Sequence, residues 1–455
     1  MNYKKKWYLV IILILFYIML GSNLFYQRTY AVEKLTLADA LELGLHENIG
    51  IKESQINQNK AEIDVNSAVK SFLPEISMSS SYTRMFLPEE NNESSYPLDP
   101  IMEYLMSEMQ PSENNYQTGI SLQQPIYMGG KLWLGLDQAK NNLKMTEIQY
   151  TKKTNEILYQ IIESYYNILL AAERVAIEEE GLSLVREHKK TAQASYNAGM
   201  SLKTDILQIE IEEGRAVNNL ETARNDLLVA KKMLGNTLGE NIENRKLVWP
   251  TEEPEIKLDS EKLYELAENN RAELELMDIN KDMLEVNLQI ERSNHLPNIV
   301  LSGDYQWQGE EFSLKDGTGR ISISASLNIF DKGISTNKRK KIEQDLKKIE
   351  LQKSNVKELM NIEIEDLLLS IKENKRNIEL QEMNLNKAEE NLELENKRYE
   401  VGTGTNVDVM DAQMVLRQTK IARMQAEHQY KINLYKLLQK TGKITEYCRE
   451  ALNNG

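Results

Sequence analysis

The sequence predicts a mainly α-helical fold with a smaller β part. The chain contains two internal repeats, and each repeat holds a β-hairpin and long coiled-coil helices. Three observations predict this fold class. One tip motif occurs twice, four segments alternate apolar and polar residues, and two glycine-bounded helical stretches have equal lengths. Repeats are identified first, because they decide how the rest of the chain is divided.

The repeat is clearest where residues 195–210 align with residues 398–413. The identical pairs, at an offset of 203, are Tyr196/Tyr399, Gly199/Gly402 and Asp205/Asp408. Upstream, Leu73-Pro74 aligns with Leu296-Pro297 at an offset of 223. The first copy therefore carries extra residues, which the sequence places in an acidic, proline-containing loop between residues 87 and 115.

Four segments are predicted to be strands, at residues 75–86, 116–128, 298–308 and 320–330. The alternation is strictest in residues 321–329, where isoleucine, alanine and leucine alternate with serine and asparagine. A period of two gives a strand one apolar and one polar face. A transmembrane β-barrel requires such segments. A soluble sheet with one wet face shows the same pattern, so the strands alone leave both interpretations open.

Two long helices are predicted between Gly130 and Gly199 and between Gly333 and Gly402, followed by shorter returning helices. Their narrow apolar seams with charged flanks indicate coiled-coil packing. Each repeat thus forms a helical hairpin, with tips near residues 199 and 402. Residues 37–72 and 260–295 are also helical in pattern, and they precede the strands.

The remaining divisions follow from composition. Residues 1–31 are predicted to be a secretory signal peptide, because three lysines precede an apolar run that is too short to span a bilayer. Residues 32–235 form the first repeat, 236–262 a linker or equatorial region, 263–442 the second repeat and 443–455 a C-terminal tail. The net charge of −15 makes nucleic acid an unfavourable partner.

Four strands are too few to close a barrel, so subunits would have to share one. A dimer would supply eight strands and a trimer twelve. An eight-stranded lumen is filled by side chains, whereas twelve strands leave a channel. The physics favours a trimer.

The doubled motif Tyr-x-x-Gly-x-x-x-x-x-Asp, the doubled Leu-Pro and the equal helices resemble the TolC family of outer-membrane efflux proteins, over residues 35–443. The resemblance implies a homotrimer in outer-membrane lipid, with a 12-stranded β-barrel continued by an α-helical barrel across the periplasm. It implies a passive exit duct in a tripartite efflux system or in type I secretion. Its partners would be a periplasmic adaptor (membrane fusion) protein and an inner-membrane transporter of RND, ABC or MFS type.

Candidate gate residues are Asp205, Asp408 and Asp411. Asp408 and Asp411 lie three residues apart at the start of a returning helix, where Thr405 and Asp408 also fit a capping box. The resemblance implies that both ring the periplasmic entrance. Relatives pair the aspartate matching Asp205 with an arginine, but Gly404 occupies that position here, and Lys203 is the local alternative.

Candidate docking residues for the adaptor lie at the two tips. They are Ala198, Gly199, Met200, Val401, Gly402 and Thr403. Both glycines have a sufficient structural explanation as turn residues with positive φ. The resemblance adds that the tips contact the adaptor, and the two roles are compatible because a tip is also an accessible surface.

No enzyme activity, cofactor or metal site is predicted. The four histidines are isolated in the sequence, without metal-ligand spacing, and are read as surface or packing residues. The run Glu178-Glu179-Glu180 is read as a solvated helix face. The alternative function is an envelope coiled-coil scaffold anchored by an uncleaved N-terminal helix. A secreted enzyme with coiled-coil arms is a third hypothesis.

Overall fold

The computed structural model describes residues 34–86, 101, 113–250, 254, 256 and 258–454. The predicted signal peptide and most of the predicted loop at 87–115 lie outside these ranges. The described chain divides into two compact units. One contains residues up to 53, 151–271 and 358 onward, and the other contains residues 54–150 and 272–357.

The secondary-structure elements are numbered in chain order. The strands are β1 (Lys34–Leu35), β2 (Glu75–Arg84), β3 (Asn114–Met128), β4 (Lys246–Leu247), β5 (Asn298–Gly309) and β6 (Thr318–Ser326). The helices are α1 (Leu37–Glu47), α2 (Ile49–Lys70), α3 (Lys131–Asn197), α4 (Lys203–Leu238), α5 (Ser260–Asn270), α6 (Ala272–Ser293), α7 (Ile334–Glu400), α8 (Asn406–Lys440) and α9 (Ile444–Asn454).

The unit built from residues 54–150 and 272–357 contains a four-stranded antiparallel sheet in the order β2-β3-β5-β6. Strands β2 and β6 are its edges. Strand β3 contains Pro125, and the register shifts between Pro125 and Tyr127. A bulge is one of the few places where a strand tolerates proline, which has no N–H to donate.

The fourth strand ends earlier than the sequence predicts. Residues 327–330 continue the alternating pattern but lie outside β6, which ends at Ser326. Ser326 pairs with Asn298, the first residue of β5, and Pro297 precedes it. The partner strand therefore supplies no further backbone for residues 327–330, and the predicted strand at 320–330 was too long at this end.

The two long helices, α3 and α7, each contain 67 residues, which confirms their predicted equal lengths. The returning helices α4 and α8 contain 36 and 35 residues. Within the described part of the chain, none of the helices combines the length and apolar character needed to cross a membrane.

The helices predicted at 37–72 and 260–295 are each broken once, at Asn48 and at Arg271. The Asn48 side chain donates to the Thr237 carbonyl at 2.7 Å and accepts the Ile51 N–H at 3.2 Å. The Arg271 guanidinium donates to Glu363 at 2.8 Å. The helical pattern predicted for both ranges is confirmed, apart from one extended residue at each break.

The other unit has a core of large buried side chains that includes Tyr165, Tyr166 and Tyr435. The Tyr165 hydroxyl lies 2.9 Å from the Leu35 carbonyl and 2.6 Å from the Val248 carbonyl, and it accepts the Val248 N–H at 3.1 Å. It thereby connects to the two-stranded parallel sheet of β1 and β4. The C-terminal tail is helical as α9.

Candidate functional site at the helical hairpin tips

The first tip connects α3 to α4 by a glycine turn. Gly199 has a φ of +78°. Its N–H donates to the Tyr196 carbonyl at 2.9 Å, and the Met200 N–H donates to the Ser195 carbonyl at 2.9 Å. This pair of bonds is the Schellman arrangement, which satisfies the last helical carbonyls and places the glycine in the left-handed region.

The second tip, between α7 and α8, closes in the same way. Gly402 has a φ of +77°. Its N–H donates to the Tyr399 carbonyl at 3.0 Å, and the Thr403 N–H donates to the Arg398 carbonyl at 2.9 Å. The matching glycines in the sequence are therefore explained by matching backbone turns.

Replacing Gly402 by alanine is expected to lower the free energy of unfolding by about 1–2 kcal/mol, because a Cβ is unfavourable at positive φ. Denaturant titration followed by helical circular dichroism measures the change. Gly214, inside α4 with open space around its Cα, is the matched control. Its replacement by alanine is expected to stabilise by about 0.5–1 kcal/mol. Effects of the same sign at both glycines would contradict this explanation.

The structure places all six predicted docking residues on the surface. Met200 is 78% exposed and Val401 is 74% exposed. Because both side chains are apolar, each tip presents a small hydrophobic contact to solvent. Whether a partner binds there stays a prediction.

Asp408 caps the start of α8, as its spacing from Thr405 indicates. Its carboxylate accepts the Thr405 N–H at 2.9 Å and the Thr405 hydroxyl at 2.7 Å, and the Asp408 N–H donates back to that hydroxyl at 3.3 Å. The hydrogen bonds from Thr405 hold the pKa of Asp408 below its usual value. Asp411, one turn later, is exposed. Within one protomer, Asp408 is thus a stably charged group beside the tip.

Asp205 has the equivalent position at the start of α4. Its carboxylate accepts the Leu202 N–H at 3.1 Å. Among the described residues, Lys203 forms no ion pair with Asp205, so the local pairing considered from the sequence is not formed. The negative charge of Asp205 instead acts on Tyr399, whose pKa is raised by burial first and by this charge second.

Gly404, which the resemblance aligns with an arginine, packs closely against the end of α7. A Cβ there would lie 3.0 Å from Arg398 Cβ and 3.1 Å from the Tyr399 nitrogen. The turn as built therefore leaves little room for any side chain at residue 404. Arg398 is the basic residue whose charge helps to lower the pKa of Asp408, after the Thr405 hydrogen bonds.

Sequence reasoning missed the role of Glu178, which was read as part of a solvated face. Glu178 is only 1% exposed, and it accepts from Arg174 at 2.8 Å and from Arg417 of α8 at 3.1 Å. Glu180 contacts Lys420 of α8 at 2.7 Å but remains exposed. The prediction was wrong for Glu178, and the arginine at 417, with the lysine three residues later, was the available signal.

Sequence reasoning also missed a polar cluster close to the tips, in which His188 and Asn406 are buried. His188 of α3 lies with its Nε2 2.7 Å from Asn406 Oδ1, and Asn406 Nδ2 donates to Gln208 Oε1 of α4 at 3.2 Å. The ring of Tyr399, from α7, meets the imidazole edge to face at 4.9 Å. All four helices of the two hairpins thus contribute to one cluster.

No group of three or more histidine, cysteine, aspartate or glutamate side chains is placed to hold a metal ion in the described ranges. The single cysteine, Cys448, is buried, and burial raises the pKa of its thiol to about 12.

The matching family model and the similar proteins are all described as outer-membrane proteins. Residues 40–240 and 263–443 match the family model described as outer membrane efflux protein. The chain is 23% identical over 370 residues to the outer membrane protein TolC of Vibrio cholerae, covering 77% of this chain and 82% of that protein. It is 21% identical over 394 residues to the outer membrane efflux protein BepC of Brucella suis, covering 83% and 84%.

Solved structures show the same fold. The CmeC outer membrane channel of Campylobacter jejuni superposes with a TM-score of 0.74 at 16% identity, covering 92% of this chain and 89% of that one. The outer membrane protein VceC of Vibrio cholerae gives a TM-score of 0.69 at 16% identity, covering 89% and 96%. The likeness extends over both halves of the chain.

Proposed function

This chain belongs to the outer membrane efflux protein family. We propose that its strands form part of an exit duct and that its helical hairpin tips gate the duct. The protein is an outer-membrane exit channel of an efflux system, and it extends into the periplasm. The observation that carries this conclusion is the family match, which covers both helical hairpins and all four strands of the larger sheet.

We propose that three copies assemble through the edges of the four-stranded sheet. Strand β2 of one copy would pair with β6 of the next, giving twelve strands. Unpaired edges cannot face lipid, because their backbone groups would lack hydrogen bonds. Exposed apolar residues alternate along both edge strands, as lipid contact requires. They are Ile76 and Met78 in β2, and Ile321 and Ile323 in β6.

In this proposal the tips meet a periplasmic adaptor, and an inner-membrane transporter of RND, ABC or MFS type supplies the energy. The exposed Met200 and Val401 offer apolar contacts to the adaptor. The duct itself is passive and catalyses no reaction. The Schellman turns support this role, because main-chain hydrogen bonds fix the backbone of each tip while the side chains of Met200 and Val401 remain exposed.

The entrance gate is proposed to consist of Asp408 and Asp411 from each copy, with Asp205 behind them. A ring of carboxylates attracts cations and repels anions. Crowding of like charges in the ring would disfavour full ionisation of the ring as a whole. The Thr405 hydrogen bonds act in the opposite direction on Asp408 and help to keep it charged.

Single-channel recording in a planar bilayer tests the duct and its gate together. Wild-type protein is expected to give discrete cation-selective steps that divalent cations block from one side. In Asp408→Asn/Asp411→Asn, the half-blocking concentration is expected to rise about tenfold or more, because the ring charge is gone. Asparagine keeps a side-chain oxygen that can accept from Thr405, so the α8 cap is retained.

Asp226→Asn, an exposed carboxylate along α4, is the matched control, and it should leave the block unchanged. A purified protein that gives no conductance would contradict the duct. Block that persists in the double variant would place the cation site elsewhere in the channel.

A further inference from the structure

We propose that His188, Asn406 and Gln208 form an interhelical latch that holds the two hairpins of a protomer together and thereby keeps the duct entrance closed. The proposal rests on the channel function proposed above. The three residues would position the gate without belonging to its ring of aspartates.

The latch connects the hairpins through a continuous chain of hydrogen bonds. His188 lies on α3 and Gln208 on α4, so both belong to the first hairpin. Asn406 is the first residue of α8 in the second hairpin, and its amide bonds to both of them, at 2.7 Å and 3.2 Å. Any displacement of the second hairpin from the first must break the bond between His188 and Asn406.

The Asn406 amide bonds to both neighbours. Its Nδ2 donates to Gln208 Oε1, and its Oδ1 lies 2.7 Å from His188 Nε2. In this arrangement an imidazole with a hydrogen on Nε2 donates to Asn406. His188 and Asn406 are 6% and 4% exposed. A hydrogen bond removed from water in this way is expensive to leave unmade.

The latch stands at the tip end of a longer seam between α3 and α8. Further from the tip, Gln413 donates to the Leu184 carbonyl at 3.4 Å, and Arg417 pairs with the buried Glu178. Asn406 directly follows Thr405, which caps the start of α8 and bonds to Asp408. Movement of Asn406 therefore moves the start of α8, which carries both entrance aspartates.

The environment of His188 makes the latch sensitive to acid. The groups that face the imidazole are the Asn406 amide from α8, the Gln208 amide behind it from α4 and the Tyr399 phenol from α7. The pKa of Tyr399 is raised, so this phenol stays neutral. Burial holds the pKa of His188 below its usual value. The latched state thus binds a proton less readily than a separated state in which His188 meets water.

This difference in proton affinity sets the direction in which the strength of the latch changes with pH. The latch is intact above the ordinary histidine pKa of about 6.5, and it weakens as the pH falls below that value. Protonated aspartates in the ring would also favour opening. The two causes separate by substitution, because removing the imidazole abolishes only the histidine component.

The test compares His188→Leu with His188→Gln in the bilayer. Leucine removes the hydrogen bond, and a several-fold rise in resting conductance is expected at neutral pH. Glutamine offers an amide N–H in place of Nε2 and should keep the entrance closed at neutral pH. It should also lack the rise in conductance that the wild-type histidine is expected to give below a pH of about 6.5. Asn406→Leu should open the channel as His188→Leu does, and the double variant should add nothing further.

Three results would overturn the latch. They are resting conductance unchanged in His188→Leu, glutamine acting like leucine, and additive effects in the double variant. Backbone hydrogen exchange at residues 398–406 gives a second readout that needs no conductance. It should accelerate in His188→Leu and not in His188→Gln, and equal exchange in both would reject the latch. Wild-type protein that never conducts would refute the duct, while the exchange measurement would still decide on the latch.

Discussion

Arg417→Leu is expected to lower the free energy of unfolding by about 3 kcal/mol or more, because it leaves the carboxylate of Glu178 with only one cation. Glu178 is almost completely buried in the native protein, so its carboxylate depends on the two arginines that contact it. Arg174 remains at 2.8 Å, and its side chain is 38% exposed, so it compensates only in part. Denaturant titration followed by the loss of helical circular dichroism measures the effect.

Lys420→Leu is the matched control, since it also replaces a paired cation of α8 by leucine, three residues further along the helix. Lys420 pairs with Glu180, whose side chain is 51% exposed. A pair in that setting contributes about 0–1 kcal/mol. Glu178→Leu/Arg417→Leu should recover much of the loss, because the isolated charge is then absent. Equal losses for Arg417→Leu and Lys420→Leu would show that burial of Glu178 does not decide the cost.

Tyr165→Ala is expected to lower the free energy of unfolding by about 3–5 kcal/mol. The substitution empties a fully buried position, and it also removes the hydroxyl that contacts Leu35 in β1 and Val248 after β4. Burial raises the pKa of Tyr165 to about 12. The hydroxyl therefore stays protonated at neutral pH, and the loss should not vary between about pH 6 and 9.

Tyr165→Phe separates the hydroxyl from the ring. It should cost about 1–3 kcal/mol, because the ring still fills the core while the carbonyls of Leu35 and Val248 lose a donor. The Val248 N–H keeps its bond to the Leu35 carbonyl at 3.3 Å, which limits the cost. If phenylalanine were as damaging as alanine, the hydroxyl and not the packing would dominate at this site.

The features that the sequence predicted correctly are those set by short-range patterns. Equal helix lengths followed from the glycines that bound them, since Gly199 and Gly402 both require positive φ. The strand positions followed from alternation. The end of β6 did not, because it depends on where β5 begins after Pro297. The breaks at Asn48 and Arg271 were likewise not predicted, and at both of them the side chain bonds to a residue far along the chain, Thr237 or Glu363.

The residues of the candidate site also fall into those that local sequence identified and those that it did not. The tips and the cap of Asp408 are local, so motif and spacing were sufficient to identify them. His188 looked like an isolated histidine because its partner, Asn406, lies 218 residues away. Glu178 looked like one of three similar glutamates, and only its position against α8 makes it different. Both residues become informative when the two hairpins are placed side by side.

The backbone turns at the tips have a consequence for how the protein can diverge. In both turns, main-chain N–H groups donate to main-chain carbonyls around Gly199 and Gly402, and the Thr403 hydroxyl adds a bond to the Arg398 carbonyl at 3.2 Å. The side chains of Met200 and Val401 are free of structural duty. If the tips bind the adaptor as proposed, substitutions at these two positions can change the partner of the duct while the hairpins retain their stability.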